Sequence, residues 1–519
     1  MNILNYNTMK TKHFSISNVL LSALAGTVSL PLVSGCQGEK AKEQGQSPNF
    51  LFILADDLGY KDLGCYGSSF HETPNLDELA EEGVKFTNAY AACPVSSPTR
   101  SSIMTGKYPA RTNDTDWFGA PQPDNVENHW TRNKPLLPAK YSEDMALEEV
   151  TLAEALKEGG YSTFFAGKWH LGPTEKYWPT NQGFDINKGG WSKGAPNRAG
   201  DANGYFSPYG NPRLEDGPEG EHLPNRLAEE TIQFIDNHQD APFLAYLSFY
   251  SVHNPQQARD ELKEKYQKKK EKLGLEVRWG QEGSRKERLV QCAPVYAGMV
   301  EAMDLAVGKV LDKLEKAGLA ENTVVIFMSD NGGLSTSEGH PTTNVPLRAG
   351  KGWLYEGGIR EPMIIKWPGK IKPGTTCSEP VTSTDFYPTI LEMAGGPLKP
   401  AQHADGKSLV PLLKNKKDTL ERDAIYWHWP HYSNHGQQSP AGVIRSGDYK
   451  LIEYYENGTV QLYNLKEDIG EQNNLAQSMP DKVKTMQHKL HQWHNTVDAQ
   501  RMTKNPDYKQ PRNNQFKRW

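Results

Sequence analysis

Two candidate nucleophiles stand three residues apart in Ala92-Cys93-Pro94-Val95-Ser96-Ser97-Pro98-Thr99-Arg100, a stretch that runs on to Thr105-Gly106-Lys107. Cys93 offers a thiol and Ser96 a hydroxyl, and either needs activation before it can attack an ester. Two further pairs carry hard oxygen ligands: Asp56-Asp57 follows the apolar run Asn49 to Ala55, and Asp330-Asn331 follows the run Thr323 to Ser329. Three carboxylates and an amide, with no His or Cys beside them, suit Ca²⁺ or Mg²⁺ and suit Zn²⁺ poorly. Alone, an Asp-Asp pair is more often a turn or helix cap. The second acidic strand end and the segment around Ser96 shift the balance toward metal. Lys168 and His170, two residues apart in Gly167-Lys168-Trp169-His170-Leu171-Gly172, can point into one cleft from an extended loop. His253 follows another buried run and is held by Pro255, while Lys351 lies in the Gly-rich stretch Leu347 to Gly352. Each of these is weak by itself, since structural His and surface Lys are common.

The elements that must position these groups are legible as apolar patterns. Asn49 to Ala55, Phe243 to Phe249 and Thr323 to Ser329 are continuous apolar runs, the mark of strands buried on both faces of a parallel sheet. Each leads into polar residues, and in open α/β sheets ligands bind beyond the carboxyl ends of the strands. Met303, Val307, Val310, Leu311 and Leu314 form one stripe of a helix. Alternating strand and helix predict an α/β domain with a large, mostly parallel sheet flanked by helices. The lysine-rich run Lys263 to Lys272, interrupted by Glu264 and Glu271, reads as a solvated helix face. After about residue 415 the pattern changes: Tyr449 to Tyr454 and Val460 to Tyr463 predict a hairpin around Asn457-Gly458, followed by a helix over Asp481 to Trp493. A catalytic domain over 48–415, a smaller α+β domain over 416–500 and an extended or disordered tail over 501–519 are expected.

With 519 residues, a net charge of −5, a pI near 6.3 and a mean hydropathy of −0.71, the chain is an ordinary polar-surfaced protein that lacks the basic face of a nucleic-acid binder. Lys10 and Lys12, the apolar run Val19 to Leu32 and the tetrapeptide Val33-Ser34-Gly35-Cys36 read as a bacterial lipoprotein signal over 1–36, with a tether over 37–47. Lipidated Cys36 would then be the sole membrane contact, on an exported protein of the periplasm or outer membrane of a Gram-negative bacterium. The other cysteines, Cys65, Cys93, Cys292 and Cys377, show neither disulfide nor zinc spacing.

Counted from Ser96, Pro98, Arg100 and Thr105-Gly106-Lys107 fall where the signature of the type I sulfatases of the alkaline phosphatase superfamily has them; counted from Cys93 they do not. The remaining segments occur in that family's order from Pro48 to about Leu475, so the chain resembles a Ser-type bacterial carbohydrate sulfatase, similar to arylsulfatase A. The resemblance implies that Ser96 is oxidised to formylglycine by a maturation enzyme that recognises Thr105, Gly106 and Lys107. It implies that Asp56, Asp57, Asp330 and Asn331, with the modified Ser96, hold one Ca²⁺, ahead of Mg²⁺. It implies further that Arg100 orients the modified side chain and that Lys168, His170, His253 and Lys351 contact sulfate or move protons. His170 is assigned to regenerating the aldehyde, and His253 with Lys351 to protonating the departing sugar oxygen. The expected function is sulfate ester hydrolysis at a glycan end, with galactose or N-acetylgalactosamine as the sugar. The alternatives are a phosphodiesterase or phosphonate monoester hydrolase of the same superfamily and a glycan-binding lipoprotein without turnover. Asp114, Asp116, Trp117, Trp191, His340, Trp427, His428, Trp429 and His431 are candidates for a sugar pocket, each with ordinary packing as the commoner explanation.

Overall fold

The computed structural model describes residues 47–510. The segment read as signal and tether, including Cys36, lies outside them, apart from Ser47. Among the described residues no helix is long and apolar enough to cross a membrane.

The run Asn49–Ala55 is the hub of the central sheet, and every residue in it is buried. It pairs in parallel with Phe243–Ser248 on one side and Thr323–Ser329 on the other. From edge to edge the order is Thr375–Cys377, Val84–Tyr90, Arg360–Lys366, Thr323–Ser329, Asn49–Ala55, Phe243–Ser248, Ser162–Gly167 and Ile186–Lys188, with Val381–Thr382 also pairing with Val84–Tyr90. Arg360–Lys366 runs antiparallel to both of its neighbours, which makes the sheet mixed at one side. Alternation along the central strand separates two cores. Leu51, Ile53 and Ala55 face a cluster that includes Leu227 and Phe234 of the helix Leu223–Asn237 and Met303, Val307 and Val310 of the helix Pro294–Lys316. Phe50, Phe52 and Leu54 face the opposite cluster, with Leu152 and Leu156 of the helix Leu152–Glu158 and Tyr387 and Ile390 of the helix Phe386–Ala394. The apolar stripe expected from Met303 to Leu314 is the buried face of Pro294–Lys316. The lysine-rich run forms the helix Asp260–Lys272, which buries Leu262 and Tyr266 and pairs Lys265 with Glu72 and Glu301 and Lys269 with Glu72.

The small C-terminal sheet is antiparallel in the order Ile425–Trp429, Ala441–Ser446, Tyr449–Tyr454 and Val460–Asn464, and the helix Pro480–Thr496 packs on it. Its core is shared with the main body: Trp427, Val443 and Leu462 belong to one cluster with Tyr90, Val95 and Trp353. The described part of the tail, through residue 510, includes one short extended strand. Thr503–Lys504 pairs antiparallel with Leu136–Leu137, and the Asn505 side chain donates to the carbonyls of Arg132 and Lys134. A two-residue ladder has no periodicity to read in a sequence.

Behind this sheet burial favours the neutral form of two histidines, and a chain of hydrogen bonds sets the tautomer of the first. Gln500 offers His428 Nε2 only a carbonyl oxygen, at 2.8 Å, so the neutral ring carries its proton there and Nδ1 accepts from the Tyr455 hydroxyl at 2.7 Å. The Tyr455 oxygen lies in turn 3.1 Å from His494 Nε2. Burial pushes His428 down to about 4 and His494 to about 2. With folded values below the ordinary 6.5, this contribution to stability is present above about pH 6.5 and is lost as pH falls toward the folded values. By about pH 5 each histidine costs about 2 kcal/mol relative to neutral pH. The urea midpoint is expected to fall between about pH 7.5 and about pH 5, and to fall less in His428→Gln; equal losses in the two proteins would place the acid sensitivity elsewhere.

Candidate active site

Because Ala55 and Ser329 are register partners on adjacent parallel strands, Asp56-Asp57 and Asp330-Asn331 leave the sheet side by side. Asp57 turns through the left-handed region at φ 61°, which Asp tolerates better than most residues, and its N–H donates to Asp330 Oδ1 at 3.2 Å. One oxygen from each of Asp56, Asp57 and Asp330 lies within 4.8 Å of the others. Asn331 donates its amide to Asp57 Oδ1 at 2.8 Å, which leaves its Oδ1 turned toward Ser96, 3.2 Å away. Ser96 opens the helix Ser96–Thr105, and its Oγ also lies 3.2 Å from Asp56 Oδ1. The site is thus a cradle of oxygen donors, fully buried at Asp56, Asp57, Asp330 and Asn331. These residues fit a hard divalent cation.

Three cations stand around the cradle. Lys168 Nζ donates to both oxygens of Asp56 at 2.8 Å and to Ser96 Oγ at 3.0 Å. Lys351 Nζ donates to Asp57 Oδ2 at 2.8 Å. Arg100 places Nε and Nη2 2.8 Å from Asp330 Oδ2, and its Nη1 donates to the Lys168 carbonyl and Ser248 Oγ. The guanidinium therefore grips Asp330 and the backbone that carries Lys168, rather than the Ser96 side chain. Burial raises the Asp56 carboxyl well above its ordinary value and outweighs Lys168. At Asp330, burial is overcome by Arg100 and Lys168, which hold it below the usual carboxylate range. Lys168 is lowered by burial, whereas Lys351 is raised because Asp57 and Glu338 outweigh its burial.

The two histidines sit above the cradle. His170 Nδ1 is 3.2 Å from Ser97 Oγ, and burial, with Lys168 nearby, holds the ring well below its ordinary value. His253 Nδ1 meets the Asn254 carbonyl at 2.8 Å and Nε2 lies 3.7 Å from Asp57 Oδ2; burial and then Lys351 push it down to about 4. Ser96, Lys168, His170, His253 and Lys351 line one cavity of about 700 Å³. Glu338 and His435, absent from the sequence reading, line it too. Glu338 lies 3.5 Å from Lys351, 2.5 Å from His435 Nδ1 and accepts from Asn254 Nδ2 at 2.9 Å. It links the Lys351 and His253 side of the site to a loop of the C-terminal region. Among the proposed pocket residues, only Trp117 lines this cavity. Asp114 and Asp116 are buried behind it, the indole of Trp191 donates to the Tyr250 hydroxyl, and His340 lies edge-on against Trp279. Trp427, His428, Trp429 and His431 are buried in packing, and the Trp427 indole donates to the Ala91 carbonyl. Cys93 is buried among apolar residues with its thiol pushed up by burial, and the cysteines of the described residues are all free.

A family model described as Sulfatase matches residues 48–396, and one described as N-sulphoglucosamine sulphohydrolase, C-terminal, matches 349–500. A sulfatase from Formosa agariphila is 33% identical, over 91% of this chain and 92% of its own. Human arylsulfatase A is 30% identical over 82% and 83%, and dog N-acetylgalactosamine-6-sulfatase 32% identical over 77% and 72%. The crystal structure of Ps i-CgsB in complex with k-i-k-neocarrahexaose aligns with a TM-score of 0.69 at 30% identity, over 89% of this chain and 95% of that one. With a buried oxygen cradle, a hydroxyl at its centre and a family match spanning the whole central sheet, the chain belongs to the sulfatase family of the alkaline phosphatase superfamily and is a sulfuric ester hydrolase.

Proposed function

We propose that this sulfatase removes sulfate from a sugar at the end of a glycan, using a formylglycine made from Ser96 and one Ca²⁺ held by Asp56, Asp57, Asp330, Asn331 and residue 96. The observation that carries the reading is Ser96 Oγ, within 3.2 Å of Asp56, Asn331 and Lys168 at the floor of the cavity. Hydrated by one water, the aldehyde would carry two hydroxyls, one to attack sulfur and one to be deprotonated so that sulfate leaves and the aldehyde returns, and the cation would supply the Lewis acidity that the repelling oxygens of a sulfate ester demand. Lys168 and Lys351 face the transferring group and absorb its developing charge. His170, neutral because it is buried, is free to accept a proton when Nδ1–H donates to Ser97 Oγ and Nε2 is left as a lone pair. His253 is neutral beside Lys351, and an arriving sulfate raises its proton affinity, so it is loaded for the leaving oxygen as substrate binds. Arg100 holds Asp330 and keeps it ionised.

Maturation has a structural condition. Every residue of the helix Ser96–Thr105 is buried, so an enzyme that reads Ser96, Thr105, Gly106 and Lys107 must act before the chain folds. The sugar ring is galactose or N-acetylgalactosamine, a choice favoured by the named specificity of the N-acetylgalactosamine-6-sulfatase relative and the carrahexaose bound to Ps i-CgsB. Export as a lipoprotein anchored at Cys36 completes the proposal.

The test is turnover by protein matured in an anaerobic host, measured on paired aryl sulfate and aryl phosphate esters and on defined sulfated monosaccharides. Sulfate esters are expected to react and phosphate esters to lag. Chelation is expected to remove about a hundredfold or more of the rate, the equivalent of ~3 kcal/mol of transition-state stabilisation, with Ca²⁺ restoring it. A protein that prefers the phosphate ester, or that keeps full activity after the cation is stripped, would sink the reading.

A further inference from the structure

The loop that roofs His170 carries more positive charge than one sulfate requires. Trp191 to Arg198 is tied down along its length. The Trp191 carbonyl accepts from the His170 N–H at 3.2 Å, and Asn197 donates its amide to the Gly210 carbonyl at 2.9 Å. Gly194 lies so close to the imidazole that a Cβ there would sit 2.4 Å from Cε1. On this frame Lys193 and Arg198 line the same cavity as Ser96. Among the described residues neither cation has an ion-pair partner within 4.0 Å, and both are exposed.

The acids of the cavity do not neutralise them. Glu338 is engaged by Lys351 and His435, and Glu143 is a single exposed carboxylate whose recorded contact is the Tyr141 hydroxyl. At the floor, Arg100, Lys168 and Lys351 are matched by three carboxylates, so the positive excess is confined to the rim. A singly sulfated sugar has nothing to offer that rim once its sulfate is on the floor.

We infer that Lys193 and Arg198 form a subsite for a second anionic group, a sulfate ester or a carboxylate, on the sugar next to the one being desulfated. The substrate class is then a multiply anionic oligosaccharide, an inference that rests on the glycan sulfatase reading. The planar fork of Arg198 matches either oxyanion, and Lys193 adds a point charge. Trp117 and Phe118, which also line the cavity, offer apolar faces to the sugar rings.

Calorimetric titration of full-chain Ser96→Ala protein with three matched disaccharides tests this. One carries a sulfate on the terminal sugar only, one adds a sulfate on the neighbour, and one has a uronic acid as the neighbour. The second anion is expected to tighten binding by about fivefold or more, with the larger of the two gains identifying the anion. Lys193→Ala and Arg198→Ala should each shrink the gain, as should added salt. Equal affinity for singly and doubly anionic ligands, no binding of the doubly anionic ones, or a gain that survives in the Lys193→Ala/Arg198→Ala double variant overturns the subsite. Because the readout is binding, it is separate from catalysis: a matured protein that hydrolyses no sulfate ester would refute the proposed reaction while this affinity ratio could still be read.

Discussion

Produced in a host whose only maturation route acts on cysteine, the natural protein is expected to be isolated with serine at position 96 and to turn over sulfate esters about 10⁴-fold more slowly, or worse, than the matured enzyme. Ser96→Cys, made in the same host, is expected to gain activity. The geometry explains why one atom should matter so much: Ser96 Oγ sits where the buried carboxylates, the Asn331 amide oxygen and Lys168 converge. A cysteine side chain at 96 starts from the same Cα and Cβ, so its aldehyde would occupy the same place. Cys93 cannot substitute, because its sulfur is turned to the Thr115 carbonyl within an apolar cluster. Mass analysis of the peptide that contains position 96 decides what was made, and kinetics decide whether it works. In the matured natural protein that peptide should carry two hydrogens fewer at Ser96 than its sequence specifies, and Ser96→Ala should be inactive from every host. A confirmed aldehyde at 96 with no turnover would remove the assignment, and so would full activity in Ser96→Ala.

The parts of this site that could be read in the sequence share a physical cause. Strands buried on both faces must be continuously apolar, so Asn49 to Ala55 and Thr323 to Ser329 stand out, and the acids that end them are conspicuous by contrast. Their adjacency in the sheet is a matter of register, which no local pattern encodes. The helix Ser96–Thr105 shows the opposite case. All ten of its residues are buried, yet it has no apolar stripe, because many of its polar groups find partners inside the protein: Ser102 Oγ meets the Thr99 carbonyl and Ser383, and Thr105 Oγ1 donates to the Ser101 carbonyl. Only the spacing of its residues marked it. Glu338, His435 and the loop from Trp191 to Arg198 were illegible for a third reason. They are irregular backbone held by long-range contacts, and nothing in Ser337-Glu338-Gly339 or Asn434-His435-Gly436 indicates that one residue will meet the other. The same blindness applied to Arg100, whose partner Asp330 is 230 residues away.

The second large effect is expected far from the nucleophile, at Lys450. Its ammonium lies 2.9 Å from Glu356 Oε1 and 2.9 Å from Glu471 Oε1, and all three side chains are fully buried. Glu356 Oε2 accepts from the Tyr90 hydroxyl at 2.7 Å, and Glu471 Oε2 accepts from the Glu356 N–H at 2.7 Å. The cluster therefore joins the small sheet, the main sheet and the segment that carries Lys351. A buried ion pair adds little net stability when complete, but removal of one partner leaves a charge that neither water nor a counterion can reach. Lys450→Met keeps the length and apolar stem of the side chain and deletes only the charge; Glu356 keeps Arg360, whose Nη1 lies 3.3 Å from its Oε2, while Glu471 is left beside it without a counterion. A loss of about 3–5 kcal/mol is expected in urea denaturation. Lys450→Met/Glu471→Gln should recover part of it, because the second change removes the stranded charge. Activity should fall along with stability in the single variant. Glu356 opens the turn whose Gly357 N–H donates to the Arg348 carbonyl, three residues before Lys351, so a loosened Glu356 loosens the backbone that aims Lys351 at Asp57. A single variant as stable as the parent would mean that Glu471 is held neutral without Lys450 while Arg360 suffices for Glu356. A double variant no better than the single one would assign the loss to packing instead of charge.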